Sequence, residues 1–227
     1  MLAQGLTSVN LYTYGLVVVP ALAGAFVGAP LVAREIESGT ARFAWTQGMT
    51  RTRWLLVKLA LVFVPLLAAA VAVGILEVVL IDVQGPQANR WAVFDQQAPM
   101  TVGATAFALA LAVAAGSVIG RSIPAMAATL VGFVVVRVGI AELARPYYMR
   151  PLVLTTNDPS AFQRLKGTQT AWWLDELGSR PGGILQQFHY QPGDRFWAFQ
   201  TVETAILVGL AGLLLAFTVY WVARRAS

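Results

Sequence analysis

An all-α, polytopic membrane protein is the fold class this sequence predicts, and three observations predict it. Hydrophobic residues make up 57% of the 227 and charged residues only 12%, a balance too apolar for a soluble domain. Five stretches, about residues 14–33, 54–81, 100–120, 123–143 and 200–222, are apolar and long enough to cross a bilayer. The charges collect mainly between and beside them, so residues 1–227 read as one transmembrane domain in a lipid bilayer. The excess of 16 Lys and Arg over 11 Asp and Glu follows the same placement, which suits topology and not a nucleic-acid partner. No cysteine is present, so neither a disulfide framework nor a thiolate metal site exists.

Residues 1–33 carry no charged side chain, and Tyr14 to Ala33 supplies the first span, with Tyr12 and Tyr14 as interfacial anchors. A cleaved signal peptide is the competing reading; it lacks a basic n-region, and the apolar run continues past the small-residue pattern at Ala21 to Ala23. Gly24 and Gly28 allow close helix contact. A charged element at 34–53 follows, holding Arg34, Glu35, Glu37, Arg42, Arg51 and Arg53. Ser38, Gly39 and Thr40 stop or bend the emerging helix, since glycine is a poor interior residue and hydroxyls satisfy free amides. A short helix from Ala41 to Gln47 ends at Gly48, and Thr50 caps the helix that becomes the second span.

That second span begins near Trp54 and Lys58, one suited to the headgroup layer and the other able to snorkel. In the third, Ala104, Ala108, Ala112, Gly116 and Gly120 recur every four residues, which lays small side chains along one helix stripe. A tight turn at Arg121 and Ser122, with Pro124 near the next helix start, leads into the fourth span. Residues 144–199 are too polar to cross and too aromatic for a plain linker, so they form a small extramembrane segment. Amphipathic helices over stretches such as Ser160 to Leu177 are one expectation for it. The last span closes on Tyr220, Trp221, Arg224 and Arg225.

Charges within or near the apolar runs, Glu77, Arg137, Glu142 and Glu203, must face a partner or a wet cavity, because a lone charge at a helix centre costs about 2.5–3.5 kcal/mol. Arg137 is the deepest, with Glu142 or Glu203 as its candidate partner. Five Lys and Arg fall in 34–58 against only Arg90 in the short loop on the opposite side. The 34–53 element and the C-terminus are therefore expected in the cytoplasm, with the N-terminus outside.

The run GAPLVAREIESGTARFAWTQGMTRTRWLLVKL and the turn GRSIPAMAATL resemble the membrane subunit of type-2 ABC transporters, particularly the permeases of high-GC Gram-positive bacteria. Such permeases have six spans, a cytoplasmic N-terminus and a large extracellular segment before the last span. By that comparison the pattern here starts at the second span, so either a first span is missing, which the unanchored outward N-terminus favours, or the permease works with five. The resemblance implies export across the cell membrane and a coupling helix at Gly39 to Gly48 that docks on a separate ABC ATPase subunit. Trp45 would be the docking knob and Arg42 a rim contact, braced through ion pairs by Arg34, Glu35, Glu37 and Arg51, with Thr40 and Arg53 in the same ATPase-coupling element. It also implies a permease dimer. No phosphate loop of the GxxxxGKS/T type occurs, so no cofactor is expected on this chain, with ATP and Mg on the partner ATPase, and the chain itself is not expected to be an enzyme.

Three other classes are weighed against this. An intramembrane enzyme needs a nucleophile and base or a metal cluster at matched depth; the only His is His189, in the extramembrane segment. A passive channel needs a repeated polar face on a span, and none is present. A non-transporting membrane anchor or sensor subunit fits the layout better, and ATPase binding by the 34–53 element separates it from a permease.

Overall fold

The computed structural model describes residues 18–40, 50–83, 85, 89–156, 171–177 and 186–224. Five helices in it are long and apolar enough to cross a membrane. We label them α1 (Val18–Glu37), α2 (Arg51–Val83), α3 (Ala98–Ile119), α4 (Ser122–Gly139) and α5 (Phe196–Arg224). The chain is thus all-α in class. α2 to α5 start one to four residues before their apolar runs, because Arg51, Ala98, Ser122 and Phe196 enter helices before the hydrocarbon-like stretch begins, while α3 and α4 end at Ile119 and Gly139, one and four residues short of theirs. Glu37 continues α1 four residues past Ala33.

α3 is the spine. It touches all four other helices, and 67% of its apolar window is buried, against 17–44% in the rest. The cause is its side-chain size: Ala104, Ala108, Ala112 and Gly116 form one buried stripe. α1 offers a matching stripe of Ala25, Ala29 and Ala33, all fully buried. A Cβ added at Gly24 would stand 2.7 Å from the Ala108 carbonyl oxygen, one at Gly28 2.8 Å from Ala112 Cβ, and one at Gly116 2.6 Å from the Ala29 oxygen. The two backbones therefore meet as close as helices can, which is how spans associate when lipid removes any hydrophobic drive between them. A π-turn at Gly24–Gly28 lies along this seam. Gly120 ends α3 with φ +67°, a left-handed cap open to glycine, and lies against Ile36 of α1.

α2 is the opposite case. Leu61 (71% exposed) and Val64 (66%) face outward, as do Ile75 and Leu76, an apolar surface that needs a bilayer or another apolar face to cover it.

On the side where α2 and α4 end, the extramembrane segment contains a three-stranded antiparallel sheet: β1 (Leu152–Thr156), β2 (Trp172–Leu177) and β3 (Gln186–Gln191), in the order β1-β3-β2. This corrects the helix expected over Ser160 to Leu177; its last six residues are strand β2, and 160–170 lie outside the described residues. The reason is the two-residue alternation of the Trp pair. Trp173 lies opposite Tyr190 of β3 with ring centroids 5.2 Å apart, whereas Trp172 turns to the helices and stacks 5.5 Å from Trp91. Paired aromatics stabilise a strand where the apolar periodicity for a helix is loose.

Gly116→Ala is expected to push α1 from α3 and to lower the thermal unfolding temperature in detergent, at a cost of about 1–3 kcal/mol. Gly209→Ala on α5, where an added Cβ meets nothing within 4 Å, is expected to leave it unchanged or raise it.

Candidate functional site

Two places concentrate the charged residues of the spans, one at each end of the bundle. The first lies under the sheet. Four charges from four elements meet there: Asp95 in the 3-10 turn Arg90–Gln96, Arg137 near the end of α4, Arg145 in the 3-10 turn Arg145–Tyr147, and Glu203 two turns into α5. Arg137 donates from Nη1 to Glu203 (2.6 Å) and from Nη2 to Asp95 (2.7 Å). Arg145 grips both oxygens of Glu203, through Nε at 2.8 Å and Nη2 at 2.7 Å, and reaches Asp95 at 2.6 Å. The Glu203 side chain is wholly buried, while that of Asp95 is 29% exposed. Two guanidiniums and two carboxylates sum to zero charge; the Arg145 fork holds Glu203 bidentately and Arg137 bridges the two carboxylates, which is how a charge set survives in a low-dielectric site.

Aromatic rings roof this quartet. The Arg145 guanidinium stands 4.3 Å over the Phe94 ring. Trp91 stacks on Phe94 at 5.7 Å and meets Phe196 and Phe199 edge-on at 5.3 and 5.2 Å. Gln200 Nε2 donates to the Phe94 carbonyl at 2.6 Å, fixing the turn before α3 to the start of α5. The Tyr148 ring lies 5.5 Å from Phe199. Its hydroxyl is buried without a hydrogen-bond partner, and burial, with the Glu203 carboxylate nearby, pushes its pKa up to about 12.

Of the intramembrane charges named from sequence, the structure brings Arg137 and Glu203 together and leaves two apart. Glu142 is exposed on the π-turn Ile140–Ala144 and is not a partner of Arg137, which corrects that alternative. One π-turn beyond α4 rotates Glu142 outward, and Asp95 occupies the second place on the guanidinium. Glu77 is buried on α2 and is not one of the four residues of the quartet. Asp95 and Arg145 were missed. Their signal was position: Asp95 borders the 25-residue uncharged run of α3, and Arg145 follows directly on the fourth apolar run.

The second place lies at the other end. Ser38 caps α1 and Gly39 follows with φ +74°, the break expected at Ser38, Gly39 and Thr40. Ser38 and Thr40 join hydroxyls at 2.9 Å. Glu35 pairs with Lys58 of α2, whose ammonium also stands 4.7 Å over the Trp54 ring. Glu37 Oε2 accepts from the backbone N–H (3.1 Å) and hydroxyl (3.0 Å) of Ser122, the first residue of α4. Thr50 Oγ1 accepts from Arg53 N–H at 3.3 Å and so starts α2. Arg34 and Arg53 are exposed and Arg51 is half-buried. Arg42, Trp45 and Gly48 lie outside the described residues. The turn from α1 to α2 is thereby fastened to α2 through Lys58 and to the α3–α4 hairpin through Ser122.

The first place is saturated with its own partners and built for holding helices; among the described residues no group of three His, Cys, Asp or Glu side chains gathers as a metal site. Its geometry, with the alternating spans and the fastened turn at the far end, defines a multi-pass helical membrane subunit with a sheet on one face. The chain belongs to the ABC-2 membrane transporter related family, whose model matches residues 2–145, more than half of its 227. It is therefore a permease-like membrane subunit of the ABC transporter class. Comparison with curated proteins and with solved structures yields no match.

Because the pKa of Tyr148 is raised above the ordinary 10.0, its contribution to stability is complete below that pH and is lost as pH climbs toward about 12. In an alkaline titration followed by ultraviolet absorbance, Tyr148→Phe is expected to remove the last tyrosine step while earlier steps persist.

Proposed function

We propose that the chain is the membrane-spanning permease of an ATP-driven exporter, coupling hydrolysis on a separate ABC ATPase to movement of its spans. The observation that carries this reading is the double fastening of the end of α1 from which the α1–α2 turn departs: Glu35 to Lys58 on one side and Glu37 to Ser122 on the other. A push on residues 38–50 is then delivered to α1, α2 and the α3–α4 hairpin together, and through the tight α1–α3 seam to the spine. A connector without a mechanical role gains nothing from such ties, since exposed ion pairs contribute only about 0–1 kcal/mol.

In this reading residues 39–48 form the element that docks on the ATPase, with Trp45 as its knob and Arg42 at its rim. ATP and Mg are held by that partner, and the chain performs no bond chemistry itself. The basic residues at 34–58 put this end in the cytoplasm of the cell membrane, and the sheet and quartet outside. Two permease copies pair around the transport path. The apolar lining of the spans suits a hydrophobic cargo.

The test is co-purification of the membrane-embedded chain with the ABC ATPase encoded beside it, comparing wild type with Trp45→Ala. Wild type is expected to retain the ATPase and raise its turnover, and Trp45→Ala to lose both. An ATPase that is never retained by wild type would refute the permease reading in favour of a membrane anchor or sensor.

A further inference from the structure

A recess of about 610 Å³ opens beside the end of α1 nearest Ser122, a volume typical of small-ligand sites. Its floor is Phe26, Pro30 and Met126, and its rim holds Arg34, Glu37 and Ser122. We propose that this recess seats one phospholipid whose headgroup carries both a phosphate and a primary ammonium, with the phosphate on Arg34, the ammonium on Glu37 and an acyl chain along the floor.

Three observations lead there. The floor lies on the outside of the bundle: Phe26 is 63% exposed on a helix long and apolar enough to cross a membrane, the position of a side chain that acyl chains would cover. From Phe26 to Glu37 the helix rises about 16 Å, about half of a hydrocarbon core near 30 Å, so the groove spans one leaflet from headgroup depth to the midplane. The rim bears one charge of each sign, three residues apart on one helix face. Arg34 is exposed and makes no ion pair among the described residues, leaving its fork for a phosphate. Glu37 spends Oε2 on both Ser122 donors, which leaves Oε1 to accept from an ammonium.

This chemistry discriminates. Phosphatidylcholine has the charges and lacks the N–H donors that Glu37 requires. Phosphatidylglycerol brings the same single phosphate for Arg34 and no cation for Glu37, which has Arg121 near enough to act on it electrostatically.

The test reconstitutes the full chain in nanodiscs of phosphatidylcholine doped equally with phosphatidylethanolamine and phosphatidylglycerol of the same acyl chains. Lipids retained after release are counted by native mass spectrometry. Wild type is expected to keep one phosphatidylethanolamine with a preference of about tenfold over either other lipid, the ratio one charged hydrogen bond supports. Glu37→Gln is expected to remove the preference over phosphatidylcholine, and Arg34→Gln to abolish retention of every phospholipid at the site. Both side chains are exposed, and an unchanged melting temperature in pure phosphatidylcholine discs verifies that each variant is folded. Equal or stronger retention of phosphatidylglycerol, retention unaffected by both variants, or a dimer of lipid-stripped protein cross-linked through Phe26→Cys would each overturn the proposal, the last by showing that a second copy fills the recess.

Discussion

Arg137, buried in the last turn of an apolar helix, sets the constraint around which the sheet side of this protein is built. A lone guanidinium there is costly, and the chain meets it with a carboxylate from α5, a second carboxylate from the turn before α3 and a second arginine that keeps the set neutral. Satisfying that one side chain draws four separate elements to one point. Once they are there, the aromatic residues flanking them have no choice of neighbours: Phe94 lies under Arg145, Trp91 lies on Phe94, and Trp172 of the sheet completes the stack. The sheet is thus held to the helices through the same network that neutralises the charge.

The opposite end is held differently. There the ties between helices include a Lys58–Glu35 pair and the two Ser122 hydrogen bonds on Glu37, which are partly exposed. Between the ends runs α3, whose small side chains let α1 approach to backbone contact over three turns. A buried charge network is rigid, whereas helices tied to one another only at their exposed ends can move together as a unit. In the proposed transport cycle this asymmetry lets the α1–α2 turn move with its ATPase while the sheet side resists, so strain collects along the α1–α3 seam.

How much of this could be read from the sequence depends on the range of each interaction. The four-residue stripe from Ala104 to Gly116 was legible because helical periodicity is local, and the Ser38–Gly39 break because it follows from backbone chemistry. That Arg137 needs a carboxylate was also legible. Which carboxylate was not: Glu142 is five residues away and Glu203 sixty-six, and only the π-turn after α4 and the antiparallel placement of α5 decide between them. Asp95 and Arg145 escaped notice because they sit just outside spans, where charges are ordinary. The Trp172–Trp173 pair was misjudged for the related reason that its stabilising partners, Trp91 and Tyr190, come from distant parts of the chain.

The most direct test of this account is a charge-removal cycle on the quartet, followed by equilibrium unfolding in detergent micelles. Arg137→Met and Glu203→Leu are made singly and together, so that each single variant leaves an unbalanced buried charge and the pair leaves Arg145 with Asp95. Each single change is predicted to cost about 3–5 kcal/mol, and the double variant less than the costlier single one. Costs that simply add would contradict the account, because they would mean that the four residues contribute as separate contacts and not as one neutral set.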